Sequence, residues 1–212
     1  GVGQREPGDL VAQLDAFLGA STSDMSGVSL LVGHSDEAPD AAVALAEHFG
    51  SRFAPSDESP NAKDSLVRFV AEMNRAARQL GMEQTQYVNP HGLTDAAHRS
   101  SALDLIKLAR EAWKDPLFRE IVSTRQRGCR VTGKGGYSRN VVWQNTNKLL
   151  EIEGYSGIKT GTTTAAGACL VSIGERNGRR LIVAVLGSTS SEARYLDTRN
   201  LFRWGWQQPP KP

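Results

Sequence analysis

Apolar residues in this chain change period near Arg125. Before it they recur at helical spacing, and after it they fall into short extended runs divided by turn residues. That ordered change points to helices packed on a mostly antiparallel sheet, an α+β domain. The helical part has four segments. Asp9 to Leu18 carries Leu10, Leu14, Phe17 and Leu18 at helical spacing. A second segment starts near Pro39, carries Ala42, Leu45, Ala46 and Phe49, and closes at Gly50. The third, Asp64 to Leu80, has a stripe of Leu66, Phe69, Val70, Met73, Ala77 and Leu80, with Asp64 as cap and Gly81 as stop. The fourth starts at Ser100 or Ser101 and turns Ala102, Leu105, Ile106, Ala109 and Trp113 inward; a short helical piece follows from Pro116.

In the extended part, Arg130 to Trp143 reads as a hairpin arm turning at Gly133-Lys134-Gly135-Gly136. Ala168–Gly174 and Leu181–Leu186 flank Asn177-Gly178, a strong short hairpin signal. Tyr195, Phe202 and Trp206 share one face of a closing helix. The expected division is a weakly patterned segment over 1–34, one domain over 35–206 and a tail over 207–212. Val28 to Val32 is a short apolar run, strand or buried helix.

At 212 residues the chain can bury a substantial core. A net charge of +2, with basic residues scattered and no run longer than Arg179-Arg180, gives no support to a nucleic-acid or other polyanion partner. No stretch approaches the ~18 apolar residues that span a bilayer. The opening Gly1-Val2-Gly3-Gln4-Arg5 fits a processed or trimmed product. Cys129 and Cys169 form neither a disulfide framework nor a zinc site; two buried thiols or one disulfide are the readings. His34, His48, His91 and His98 show no metal-ligand pattern, and His91 is expected to order the Asn89-Pro90 turn. Trp143, Trp204 and Trp206 are expected in the core. Gly128 to Lys134 has P-loop spacing, but Gly135 stands where a magnesium-binding hydroxyl belongs.

The densest chemistry lies in Gly154-Tyr-Ser-Gly-Ile-Lys159-Thr160-Gly161-Thr162. An extended backbone beside a cation, two hydroxyls and a close-approach glycine can pair with a peptide and hold an anion there. Lys-Thr-Gly on a strand is one of three motifs of the penicillin-recognising serine enzymes. Other stretches match in order: Asp40-Ala-Ala-Val-Ala-Leu-Ala-Glu-His48, Phe69-Val-Ala-Glu-Met-Asn74, Leu80-Gly-Met82, Asn89-Pro-His-Gly-Leu93, Ser100-Ser-Ala-Leu-Asp-Leu105 and Asn145-Thr-Asn147. Over about residues 35–206 the chain resembles the D-alanyl-D-alanine carboxypeptidases, the low-molecular-mass penicillin-binding proteins.

The resemblance implies a β-lactamase/transpeptidase-like fold and a serine-type carboxypeptidase that cleaves D-Ala-D-Ala stem peptides of peptidoglycan through an acyl-enzyme. It implies no metal or organic cofactor, β-lactams as covalent ligands, and a periplasmic, secreted or otherwise extracytoplasmic location. By the same resemblance Lys159 holds positive potential beside the nucleophile, Thr160 bonds the substrate carboxylate and Gly161 admits the substrate backbone. The Thr162 N–H is an oxyanion donor, a role worth ~3 kcal/mol of barrier in acyl transfer. Arg194, at the start of the closing helix, takes the terminal carboxylate; the plain alternative is a solvated helix-end arginine.

Two motifs depart from the pattern. The N-terminal part holds no Ser-x-x-Lys, and Ser21-Thr22-Ser23-Asp24 has a carboxylate where the activating cation belongs. Around Ser35 the second motif lacks its asparagine, so Ser35 is either a catalytic hydroxyl or a helix cap. The competing expectation is a relative that grips the peptide without being acylated.

Overall fold

The computed structural model describes residues 38–53, 64–132 and 136–209. The expected helix at Asp9 to Leu18, the run Val28 to Val32, Ser35 and most of the arm's turn lie outside the described residues. In chain order the elements are α1 (Ala38–Gly50), α2 (Ser65–Gln79), α3 (Ala102–Ala112), α4 (Pro116–Ser123), β1 (Gln126–Thr132) and β2 (Ser138–Gln144). A 3-10 turn at Lys148–Glu151 leads to β3 (Tyr155–Thr163), β4 (Gly167–Arg176), β5 (Arg179–Ser188) and α5 (Ser191–Gln207).

Helix boundaries follow side chains that satisfy the free N–H groups of the first turn. Asp64 accepts from Leu66 N at 2.9 Å, Ser101 from Asp104 N at 3.2 Å and Asp115 from Phe118 N at 2.8 Å. Gly81 ends the α2 region with φ +66°, a conformation that favours glycine. The carboxylate of Asp104, only 2% exposed, is a feature the stripe pattern does not announce. It accepts from Gln84 N and Thr85 Oγ1 and pairs with Lys107 at 3.2 Å, so its buried charge is satisfied.

The antiparallel sheet has the order β3-β4-β5. Its β4–β5 turn is Asn177 (φ 52°) and Gly178 (φ 71°), the two positive values that an Asn-Gly hairpin supplies. Side chains alternate across the sheet. On one face Ile173 joins Ala109 and Val122 from α3 and α4, with Ile158, from the irregular start of β3, in the same cluster and Trp113, Phe118, Val171 and Ile182 against it. On the other, Val183 and Val185 pack with Phe202 of α5, beside Tyr155, Leu181 and Trp206. Gly174 lets α5 lie close to β4, since a Cβ there would stand 3.0 Å from Phe202 and 3.1 Å from Trp206. The α+β reading with helices on both faces of the sheet therefore holds.

Several expectations are corrected. Trp204 is 62% exposed because it lies on the solvent side of α5, away from Phe202. Trp143 is buried as expected, and its Nε1 donates to Cys129 Sγ at 3.1 Å. Both cysteines are free and only half-buried.

Candidate functional site

β3 is an outer strand of the three-stranded sheet, paired on one side with β4. Lys159 stands opposite Val171, Thr160 opposite Leu170, Gly161 opposite Cys169 and Thr162 opposite Ala168. Of the expected site residues the structure brings together Lys159, Thr160, Gly161, Thr162 and Arg194; Ser35 lies outside the described residues.

Arg194 is not a solvated helix-end arginine: it is 7% exposed. Ser190 caps α5 by accepting from Ala193 N at 3.0 Å, and the first turn then points Arg194 at the end of β3. Its Nη1 donates to Thr162 Oγ1 at 2.9 Å, to the Gly161 carbonyl at 3.2 Å and to the Cys169 carbonyl at 3.4 Å. Its Nη2 reaches the Tyr195 hydroxyl at 3.4 Å, while Nε is buried without a hydrogen-bond partner. Among the described residues no carboxylate pairs with this guanidinium. A buried cation whose acceptors are all neutral is poorly compensated and favours an anion beside it.

Thr160 is buried, with its Oγ1 2.6 Å from Thr146 Oγ1. Thr146, the middle residue of Asn145-Thr-Asn147, is a site neighbour that nothing in the residue order singles out. The two asparagines explain its position. Asn145 donates to the Thr124 carbonyl at 3.2 Å and accepts from Asn147 N at 3.0 Å; Asn147 accepts from Leu149 N at 3.1 Å. Tyr195 closes the network by donating to the Thr146 carbonyl at 2.8 Å. A continuous chain of polar contacts thus runs from Arg194 through Tyr195 and Thr146 to Thr160.

Gly161 faces open space: nothing lies within 4 Å of where a Cβ would be. At the strand end Thr163 accepts from Thr94 Oγ1 at 2.8 Å, which ties the loop after Asn89 to the site. That loop is ordered as expected around His91, whose Nδ1 accepts from Leu93 N at 3.1 Å.

Lys159 is exposed, and among the described residues its ammonium donates to the Thr160 carbonyl and to no serine hydroxyl. The protein around the ammonium disfavours its charge, and Arg194 repels it, so its pKa lies below the ordinary 10.5, with solvent screening the effect. The native state thus holds this proton less tightly than the unfolded chain. Stability contributed through Lys159 rises as pH climbs from the lowered value towards 10.5. Any attraction that Lys159 exerts on an anion moves the other way and falls over the same window as its charge is lost. Lys159→Met is expected to remove both dependences while leaving the urea midpoint at neutral pH unchanged or slightly higher. Urea titrations and peptide binding measured from pH 7 to 10.5 check both signs.

A family model described as D-alanyl-D-alanine carboxypeptidase matches residues 20–190. The chain is 35% identical over 169 residues to the D-alanyl-D-alanine carboxypeptidase of Streptomyces sp. strain K15, covering 79% of this chain and 56% of that protein. It is 33% identical to DacD of Escherichia coli K12, covering 81% of this chain and 39% of the relative. The chain thus spans about half the length of the curated relatives it matches. The crystal structure of the Streptomyces K15 DD-transpeptidase superposes with a TM-score of 0.71 at 35% identity, over 80% of this chain and 63% of that one. DacD from Francisella tularensis superposes at 0.67 with 25% identity, over 80% and 49%.

Proposed function

The chain belongs to the D-alanyl-D-alanine carboxypeptidase family, and we propose on that premise that residues 35–206 form a unit whose β3 edge binds the D-Ala-D-Ala end of a peptidoglycan stem peptide. Arg194 and Thr160 take the terminal carboxylate, Gly161 admits the peptide backbone, and Lys159 adds positive potential. The observation that carries this reading is the buried Arg194 guanidinium, whose described acceptors are all neutral.

The reaction is serine-type carboxypeptidase chemistry. A serine oxygen attacks the carbonyl carbon of the D-Ala-D-Ala bond, and the Thr162 N–H stabilises the oxyanion. D-alanine leaves with a proton, and water hydrolyses the resulting ester. Ser35 and Lys159 are the catalytic candidates, β-lactams are the covalent ligands, and the setting is extracytoplasmic. No helix among the described residues is long and apolar enough to cross a membrane.

A second reading, binding without acylation, is favoured by Asp24 standing where Ser21-Thr22-Ser23 would need a lysine. Fluorescent penicillin labelling with peptide mapping separates the two. Covalent label on a serine supports the enzyme. Saturable binding of diacetyl-L-Lys-D-Ala-D-Ala without label supports the binding module, and neither label nor binding sinks both.

Gly161→Ala probes the backbone approach directly. Open space at that position predicts an unchanged Tm, while a methyl on the peptide-facing strand is expected to weaken peptide binding at least 10-fold. Equal affinity for the two proteins would remove Gly161 from the site.

A further inference from the structure

Residues 121–150 contain Arg125, Arg127, Arg130, Lys134, Arg139 and Lys148 and no aspartate or glutamate. The segment therefore carries +6 in a chain of net +2, leaving −4 for everything else. Read along the sequence these cations are scattered; the β1–β2 register brings Arg127, Arg130 and Arg139 together. Arg127, opposite Trp143, and Arg139, opposite Val131, lie on one face of the ribbon, and Arg130, opposite Asn140, lies on the other. Arg125 sits at the base, where its carbonyl accepts from Asn145 N at 2.7 Å.

All four arginines are exposed, and among the described residues none pairs with a carboxylate. Among the described residues only Arg130 of the four has a side-chain hydrogen-bond partner, Ser138 Oγ, at 2.9 and 3.1 Å. Among the described elements, each strand packs chiefly on the other. Like charges gathered on a two-stranded ribbon repel one another and are stabilised when a polyanion lies along them.

We propose that the β1–β2 arm binds a linear, phosphate-bearing polymer through Arg125, Arg127, Arg130 and Arg139, independently of the β3 edge. The planar guanidinium suits phosphate oxygens in a bidentate fork. Three features select this occupant. A flat membrane meets one face of a ribbon, whereas these cations lie on both. Between the strands the sequence Gly133-Lys134-Gly135-Gly136 holds no bulky apolar side chain for insertion between lipids. Nucleic-acid binding at such a ribbon relies on interleaved aromatics, yet Trp143 is 8% exposed and Tyr137 is the one exposed aromatic among the arm's described residues.

The test uses fluorescently tethered long-chain polyphosphate and anisotropy in 50–300 mM NaCl. Four phosphate contacts at ~0.7 each predict that log K falls with log salt at a slope of about −3. Arg127→Gln/Arg130→Gln/Arg139→Gln is expected to lose at least 10-fold affinity at 50 mM NaCl and flatten the slope towards about −1. The corresponding triple lysine variant keeps the charge and much of the binding. Arg199→Gln/Arg203→Gln, on exposed α5 positions, is the control and leaves binding unchanged. Single Arg130→Gln and Arg139→Gln variants, each expected to lose about 3-fold, replace the triple if its melting curve shows a fold defect. The proposal is overturned by wild-type affinity in the glutamine variants or by an equal loss in the α5 control. It is also overturned by tighter binding to an oligothymidylate of matched charge, or by binding to anionic phosphatidylglycerol vesicles without binding to polyphosphate.

Discussion

Arg194→Ala is expected to weaken binding of diacetyl-L-Lys-D-Ala-D-Ala about 100-fold, corresponding to roughly 3 kcal/mol. A charge-assisted contact to a carboxylate is worth about 1.5–3 kcal/mol, and a buried guanidinium without an ionic partner lies at the upper end of that range. The side chain also bonds the Gly161 and Cys169 carbonyls, so alanine removes support for the β3 end as well as charge. A ligand cycle separates the two roles. The C-terminal amide of the same peptide should lose most of the acid's affinity for wild type, and the variant should distinguish acid from amide far less than wild type does, through Thr160 and Lys159 alone. If the variant loses affinity equally for both ligands, Arg194 is a structural brace and the carboxylate role fails. Arg194→Lys should recover part of the affinity, since it keeps the charge and loses the fork.

Phe202→Ala is expected to destabilise the fold by about 3–5 kcal/mol, among the largest costs for one core truncation here. Phe202 is fully buried, stacked on Trp206 with ring centroids 5.2 Å apart and edge-on to Tyr155 at 5.2 Å. It joins α5 to β4 and β5 at the sheet face that also fixes the start of α5, where Arg194 is carried. A drop in Tm on the order of 10 °C follows for a chain of this size. Phe202→Leu should cost less than half as much, because it retains most of the apolar volume. A Tm within 2–3 °C of wild type for Phe202→Ala would mean that α5 is held chiefly by its polar contacts.

How much of this was legible in the residue order depends on the range of the interaction. Caps at Asp64, Ser101 and Asp115 act within three residues of themselves, so their helices could be placed from the sequence. The Asn177-Gly178 turn was equally legible, because its conformation is local. Trp204 was misplaced on residue type alone: the face shared by Tyr195, Phe202 and Trp206 leaves it on the far side of α5. Thr146 was missed as a site neighbour because its meeting with Thr160 depends on where Asn145 fastens a turn to the end of α4.

By itself, then, the sequence determined the helix-then-strand order, the α+β class and the presence of Lys-Thr-Gly on a strand, because these rest on periodicity and near-neighbour chemistry. The tertiary structure decided what Arg194 is: a buried cation reaching back 33 residues to the Gly161 carbonyl. It also decided that scattered arginines form one charged ribbon, and that Thr94 ties a loop to Thr163 across 69 residues. Such pairs are set by strand register and helix docking, which depend on the whole core and on no short stretch of sequence.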